Sequence, residues 1–272
     1  MFVFLDTETT GIADKDRLCQ LAYITDNGTK VNKYFKPGGE QQISIDAMCV
    51  HHITNEMVEG LPTFQESADY QKLIDLLNNN NIIVAHNAKF DISMLQKEGI
   101  KIDRYICTLK LARFLDKNGM FDKHNLQFLN YTLKLYKEIE GKINAHDALG
   151  DVIVLEKLFY RLYHSFFYKE FPDAETKKLL TKEIKNSSDI NIEGPNFYAE
   201  FFKKNLTESY QELAIQKMIE ISLKPSLLYK ISFGKHKGTP FNAIPKDYLQ
   251  WLEKQSDLDE DLQYTIKYYL AT

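Results

Sequence analysis

The sequence predicts an α/β fold: a sheet that begins as an antiparallel meander, with helices packed against it. Three observations carry this. Phe2-Val3-Phe4-Leu5 is an apolar run with aromatic and β-branched members, the composition of a buried strand. Cys19 to Asp26 and Lys30 to Pro37 read as two strands joined at Asp26-Asn27-Gly28, and Asn-Gly is a strong hairpin signal because the tight turn needs positive φ. Ile82-Ile83-Val84-Ala85 is another short apolar strand, and the Ile92, Met94 and Leu95 that follow it have helical spacing.

Between and beyond these, Ile45 to Glu59 is a mixed stretch in which Thr54 can cap a short helix. Leu61-Pro62-Thr63-Phe64 leads into an amphipathic helix through Tyr70, Leu73, Ile74 and Leu77, which the polar run Asn78 to Asn81 ends. Tyr105 to Cys107 reads as a strand, and Thr108 to Leu115 and Asn125 to Tyr136 as helices. A long helix follows through Val152, Leu155, Leu158, Phe159 and Leu162. Residues 168–225 read as a helical connecting region, with charged segments at Lys177 to Lys185 and Glu200 to Lys224.

With 272 residues, the chain has room for one domain of about 150 to 200 residues and a smaller one. Its 44% hydrophobic and 26% charged content is ordinary for a globular protein. No run approaches the roughly 18 apolar residues of a membrane span, and the N-terminus enters a strand directly, so the expectation is a cytoplasmic protein with no membrane partner. Cys19, Cys49 and Cys107 are scattered and odd in number, which argues against a zinc site or disulfide framework and for core thiols. A net charge of −4 argues against a large non-specific nucleic-acid surface, but not against a small site where metal ions neutralise phosphates.

The acidic residues are the informative feature. Asp6 and Glu8 are two residues apart on the first strand, so they point the same way. Side by side they repel unless a cation shares them, and hard oxygen ligands at this spacing suit Mg²⁺ or Mn²⁺. The plain structural alternative is a strand ending in a polar turn. Asp91 falls in the first turn of the helix after Ile82–Ala85, where either a ligand carboxylate or a residue favoured by the helix dipole can stand. His146-Asp147-Ala148-Leu149-Gly150-Asp151 opens the long helix. Five residues of helix turn about 500°, so His146 and Asp151 can face one point only if His146 lies on the loop before it.

The last section is basic. Between Ser226 and Gln250, four lysines stand against one aspartate, and Phe233, Tyr248 and Trp251 lie nearby. Such a turn either grips a nucleic-acid strand by charge and stacking or is a small hairpin packed on a helix by those same aromatics.

Taken together, Asp6-x-Glu8, Asn87-x-x-Phe90-Asp91 and His146-x-x-x-x-Asp151 resemble the three motifs of the DEDDh, or DnaQ-like, 3′–5′ exonucleases, with matching order, spacing and flanks over roughly residues 1–165. The resemblance implies an RNase H-like mixed five-stranded sheet flanked by helices, and two Mg²⁺ or Mn²⁺ ions held by Asp6, Glu8, Asp91 and Asp151. It also implies His146 as general base, and Thr7, Thr9, Thr10, Gly11, His51 and Asn87 as contacts to the substrate. Phe233-Gly234-Lys235-His236-Lys237-Gly238 with Tyr248-Leu249-x-Trp251-Leu252 resembles the small module of exonuclease X-like proteins. The expected division is therefore 1–167 as exonuclease domain, 168–225 as connecting region and 226–272 as C-terminal module. The implied activity is release of nucleoside monophosphates from the 3′ end of DNA, expected single-stranded, in DNA repair. A polymerase III epsilon-like proofreading subunit with a polymerase partner, an exoribonuclease trimming RNA 3′ ends, and a non-catalytic binding module are the alternatives.

Overall fold

The computed structural model describes residues 1–139, 147–170, 208–256 and 258–272. Strands β1 (Phe2–Thr9), β2 (Leu18–Thr25), β3 (Lys30–Tyr34), β4 (Ile82–Ala85) and β5 (Tyr105–Cys107) form one sheet in the order β3-β2-β1-β4-β5. β1 to β3 are antiparallel neighbours, while β4 runs parallel to β1 and β5 parallel to β4. This is the mixed RNase H-like sheet, with β1 at its centre.

Strand periodicity sorts the two cores. Val3 and Leu5 of β1 pack with Leu21, Ile83 and residues of two helices, α3 (Ala68–Asn78) and α4 (Lys89–Lys97). Phe4 packs on the other face with Ala22, Val84 and the apolar side of α7 (Ala148–Glu170). The Phe2 and Phe4 rings lie 4.8 and 5.4 Å from that of Phe159. Full burial of side chains such as Val3, Phe4 and Leu5 stabilises the fold by about 1.5–3 kcal/mol each, and together they fix the register of β1. Asp6 and Glu8 then continue the Phe2–Phe4 row towards α7, while Thr7 and Thr9 continue the Val3–Leu5 row towards α4.

Four local features differ from the sequence reading. Ile45–His51 is a helix, α1, capped by Ser44 accepting from the Ala47 N–H at 3.2 Å; its one buried residue is His51, so it carries no apolar stripe to detect. Thr54 precedes α2 (Asn55–Val58) without a side-chain cap bond to it. Asn125 to Tyr136 is not one helix: α6 (Leu126–Thr132) stops before Lys134, which takes left-handed φ 58°, and a 3₁₀ turn follows over Leu135–Glu138. Cys49 is exposed on α1, whereas Cys19 and Cys107 are core thiols as expected.

Of the connecting region, Glu208–Leu223 forms a helix, α8, while Lys177 to Lys185 lies outside the described residues. α8 packs Ala214, Met218 and Ile219 into the α7-side core. Its Ser222 hydroxyl accepts from the Cys107 N–H at 2.8 Å, closing part of the β5 edge.

The C-terminal residues bury a separate cluster of Ile231, Phe241, Ile244, Leu249, Leu252, Leu262 and Ile266, contributed largely by α9 (Lys246–Glu253) and α10 (Glu260–Ala271). This unit docks on α5 (Thr108–Leu115) through Asp261, which is buried, pairs with Arg113 and accepts from Lys110 Nζ at 3.1 Å and the Ser226 N–H at 2.8 Å. Burial pushes the Asp261 pKa up, but Ser226, Arg113 and Lys110 together hold it below the ordinary value. Gly119, at φ 63°, lies against the Tyr229 ring; a Cβ there would come within 2.1 Å of Cδ1, so only glycine allows this approach. Among the described residues, no helix is long and apolar enough to cross a membrane.

Candidate active site

The site forms where β1 outruns its neighbour. Pairing of β1 with β4 ends at Phe4 with Val84, so the rest of that edge of β1 has no strand partner. Asp91, in the first turn of α4, takes its place: both the N–H and the hydroxyl of Thr7 donate to Asp91 Oδ1, at 3.0 and 2.7 Å. On the other face Asp6 and Glu8 meet Asp151 in the first turn of α7, and the three carboxylates each offer an oxygen within 4.8 Å of the others. Asp91 stands outside this tight trio, yet after burial its charge is the largest influence on Asp6.

Burial and mutual repulsion make the set costly as bare anions. The Asp6 pKa is raised well above the usual carboxylate range by burial, then by the charges of Asp91, Glu8, Asp151 and Asp147. Glu8 is raised to about 8 by burial and by Asp151, Asp91 and Asp147. Asp91 is raised to about 7 by burial, against the lowering effect of its Thr7 bonds. Converging oxygen donors of this kind fit a divalent cation: it replaces the repulsion with attraction, and hard carboxylate oxygens suit it.

Two amides hold this arrangement, and no sequence pattern points to either. Gln127 on α6 donates from Nε2 to Asp151 Oδ1 at 2.6 Å, and its own Oε1 accepts from Asn130 Nδ2 at 3.2 Å. Gln20 on β2 is buried opposite Glu8 and donates to Asp147 Oδ1 at 3.1 Å and to Asn32 Oδ1 at 2.8 Å. Asp147 thereby becomes a fifth carboxylate beside the site. His146 lies outside the described residues.

The segment expected to touch substrate is engaged largely inside the protein. The Thr9 hydroxyl donates to the Gly11 carbonyl at 2.7 Å and that of Thr10 to Asp16 Oδ1 at 2.8 Å, and both threonines are buried. His51 accepts from the Ile53 N–H at Nδ1, 3.0 Å, so its Nε2–H donates to the Thr9 carbonyl, also at 3.0 Å. His51 thus braces the turn, and both its ring nitrogens are occupied. Gly11 packs on Asp16, whose Oδ2 would lie 2.6 Å from a Cβ. The adjoining Ile12 is 88% exposed, a large apolar side chain in water at the end of this turn. Asn87 is exposed at φ 62°, its carbonyl accepting from the Phe90 N–H as α4 begins.

The exonuclease family model RNase T matches residues 3–159, which include every described residue of this site. Exodeoxyribonuclease 10 of Escherichia coli K12 is 26% identical over 278 residues, covering 99% of each chain. DNA polymerase III subunit epsilon of Treponema pallidum is 32% identical over 203 residues, covering 69% of this chain and 90% of the relative. A solved structure of exonuclease X in complex with 5′-overhanging duplex DNA aligns with a TM-score of 0.47 and 26% identity, over 61% of this chain and 92% of that one. The chain belongs to the DnaQ-like branch of the RNase T exonuclease family, and it is a 3′–5′ exonuclease.

Proposed function

We propose that the chain removes nucleoside monophosphates from the 3′ end of single-stranded DNA, with Asp6, Glu8, Asp91 and Asp151 as the ligands of two Mg²⁺ or Mn²⁺ ions. The observation that carries this is the convergence of Asp6, Glu8 and Asp151 within 4.8 Å, with Asp91 tied to the same strand through Thr7. When bound, the ions supply charge stabilisation at the phosphate and a more acidic attacking water. Thr7 fixes the Asp91 carboxylate, and Gln127 fixes that of Asp151. His146, adjacent in sequence to the anchored Asp147, takes the proton from the water, a task suited to an imidazole with a pKa near neutrality. His51 holds the Thr9–Gly11 turn, and the exposed Ile12 gives the terminal base an apolar surface. Asn87 contacts the nucleotide from the α4 side.

In this reading residues 1–167 carry the chemistry, 168–225 connect, and 226–272 form a module. The full-length likeness to exodeoxyribonuclease 10 favours DNA as the substrate; action without a polymerase, in repair and in the cytoplasm, is part of the same proposal. The relatives named DNA polymerase III subunit epsilon favour a second reading, a proofreading subunit. Oligonucleotides of equal sequence in DNA and RNA, each labelled at the 3′ end, test the substrate class. Faster loss of label from DNA by the purified chain alone is expected. Faster loss from RNA would turn the assignment to RNA trimming, and activity appearing only with a polymerase would favour the proofreading subunit.

A further inference from the structure

The basic turn of the C-terminal unit has a geometry that its core does not account for. The Ile231 N–H donates to the Thr239 carbonyl at 3.1 Å and the Gly238 N–H to the Ile231 carbonyl at 2.7 Å, so the loop between them is closed at its base and projects as a compact tip. Gly234 and Gly238 make the tip possible at φ 68° and 83°. A Cβ on Gly234 would lie 2.8 Å from the Tyr248 hydroxyl, and the His236 ring lies 4.5 Å from the Tyr248 ring, so Tyr248 is the staple between tip and α9.

The other two aromatics leave much of their surface in water. α9 turns Leu249 and Leu252 inward, 1% and 2% exposed. Trp251 stays 54% exposed beside Tyr248, at 5.4 Å between rings, and Phe233 at the tip is 41% exposed. Lys235 and Lys237 project from the same tip and enter no ion pair among the described residues. The uncovered surface of these large rings is apolar area left in water, and two lysines outside any salt bridge are carried by the same turn, Lys237 acting at longer range on Asp122.

The turn that carries this face is linked to the acidic site through a succession of contacts. Lys230 Nζ pairs with Asp122 at 2.7 Å. Asp122 lies in a segment folded around the Asp116 carboxylate, which accepts from the Met120 and Phe121 N–H groups and bonds His124. Asn125 at the end of that segment caps α6, and two residues later Gln127 holds Asp151. A cleft of about 320 Å³, bordered by Asp122, His124, Asn125 and Lys230, lies between the segment and the turn.

We infer that the face carrying Phe233, Trp251, Lys235 and Lys237 is a second nucleic-acid site, which holds a single-stranded stretch of the substrate upstream of the 3′ end. Bases of a single strand expose π-faces that stack on such rings, while a duplex hides them. Phosphates match the lysines in a chain otherwise negative overall, whereas a protein partner's interface is depleted in lysine. The inference rests on the nucleic-acid reading of the acidic site, and its test separates the two.

In the full chain carrying Asp6→Ala, to prevent turnover, anisotropy titrations with fluorescent dT4 and dT20 are compared with and without changes on this face. Trp251→Ala should weaken dT20 binding by about tenfold and leave dT4 unchanged, with Trp251→Phe restoring most of the loss. Lys235→Glu with Lys237→Glu should reduce the salt slope for dT20 by about 1.4, the value for two phosphate contacts on a single strand. Unchanged melting temperatures would show the fold intact. Wild-type dT20 affinity and salt slope in these variants would overturn the inference and leave the face to a protein. The acidic-site reading is judged separately, by dT4 hydrolysis in the same changes made without Asp6→Ala: hydrolysis at the wild-type rate is expected whether or not dT20 binding changes, and its absence from the wild type itself would count against the acidic site.

Discussion

Neutralising Glu8 should stabilise the metal-free protein while damaging the enzyme. The Glu8 pKa rises from 4.5 to about 8 on folding, so the folded state retains a proton that the unfolded state has released. Stability from this group is therefore complete below pH 4.5 and is lost as pH rises to about 8. Half-buried His86, His124 and His164 have pKa values lowered by desolvation, so their contribution is lost only below the ordinary histidine value of 6.5. Between pH 6.5 and 8 the carboxylates dominate. At about 1.4 kcal/mol per pH unit, Glu8 alone costs the metal-free fold about 2 kcal/mol across that window, or a fall of about 5 °C in a domain this size. Thermal unfolding in EDTA, followed by circular dichroism, should show at least this fall in the wild type, where Asp6 and Asp91 add to it, and Glu8→Gln should lessen it by about the Glu8 share. Saturating Mg²⁺ or Mn²⁺ should flatten it in the wild type but not rescue activity in Glu8→Gln. Parallel curves for the two proteins in EDTA would refute the argument from repulsion.

Two further changes follow from the same geometry. Gln127→Ala removes the donor to Asp151 Oδ1 without removing a proposed ligand, so the Mg²⁺ concentration for half-maximal activity should rise by about 10- to 100-fold; an unchanged metal dependence would show that Gln127 does not position the site. Asp261→Ala leaves Arg113 and Lys110 without their buried partner and should cost about 3–5 kcal/mol in urea unfolding, whereas a loss below about 1 kcal/mol would mean the docking is held by other contacts.

Much of the catalytic half is legible because its signals are local. The run Phe2–Leu5 fixes β1 by composition, alternation then sets Asp6 and Glu8 on one face, and Asn27-Gly28 forces the β2–β3 hairpin that extends the sheet beside β1. Asp91 and Asp151 are legible because each opens a helix that follows a recognisable apolar pattern. What sequence reasoning misses depends on long-range geometry. Gln20 and Gln127 are neutral amides whose roles exist only once β2 and α6 are folded against the acidic cluster. That the threonines and His51, expected as substrate contacts, also brace their own turn through Gly11, Asp16 and the Thr9 carbonyl is revealed only by the closed loop. α1 escapes detection because it lies on the surface with one buried residue. Nothing in Asp261 distinguishes it from its neighbour Glu260 until α5 supplies Lys110 and Arg113.

The most direct test of the account is hydrolysis of a 5′-labelled single-stranded DNA by the wild type and Asp6→Ala, in Mg²⁺ and in EDTA. Wild type in Mg²⁺ should give a ladder shortening by single nucleotides from the 3′ end, and the other three conditions should leave the substrate intact. The same ladder from Asp6→Ala, or from the wild type in EDTA, would contradict a metal-dependent site built on these carboxylates.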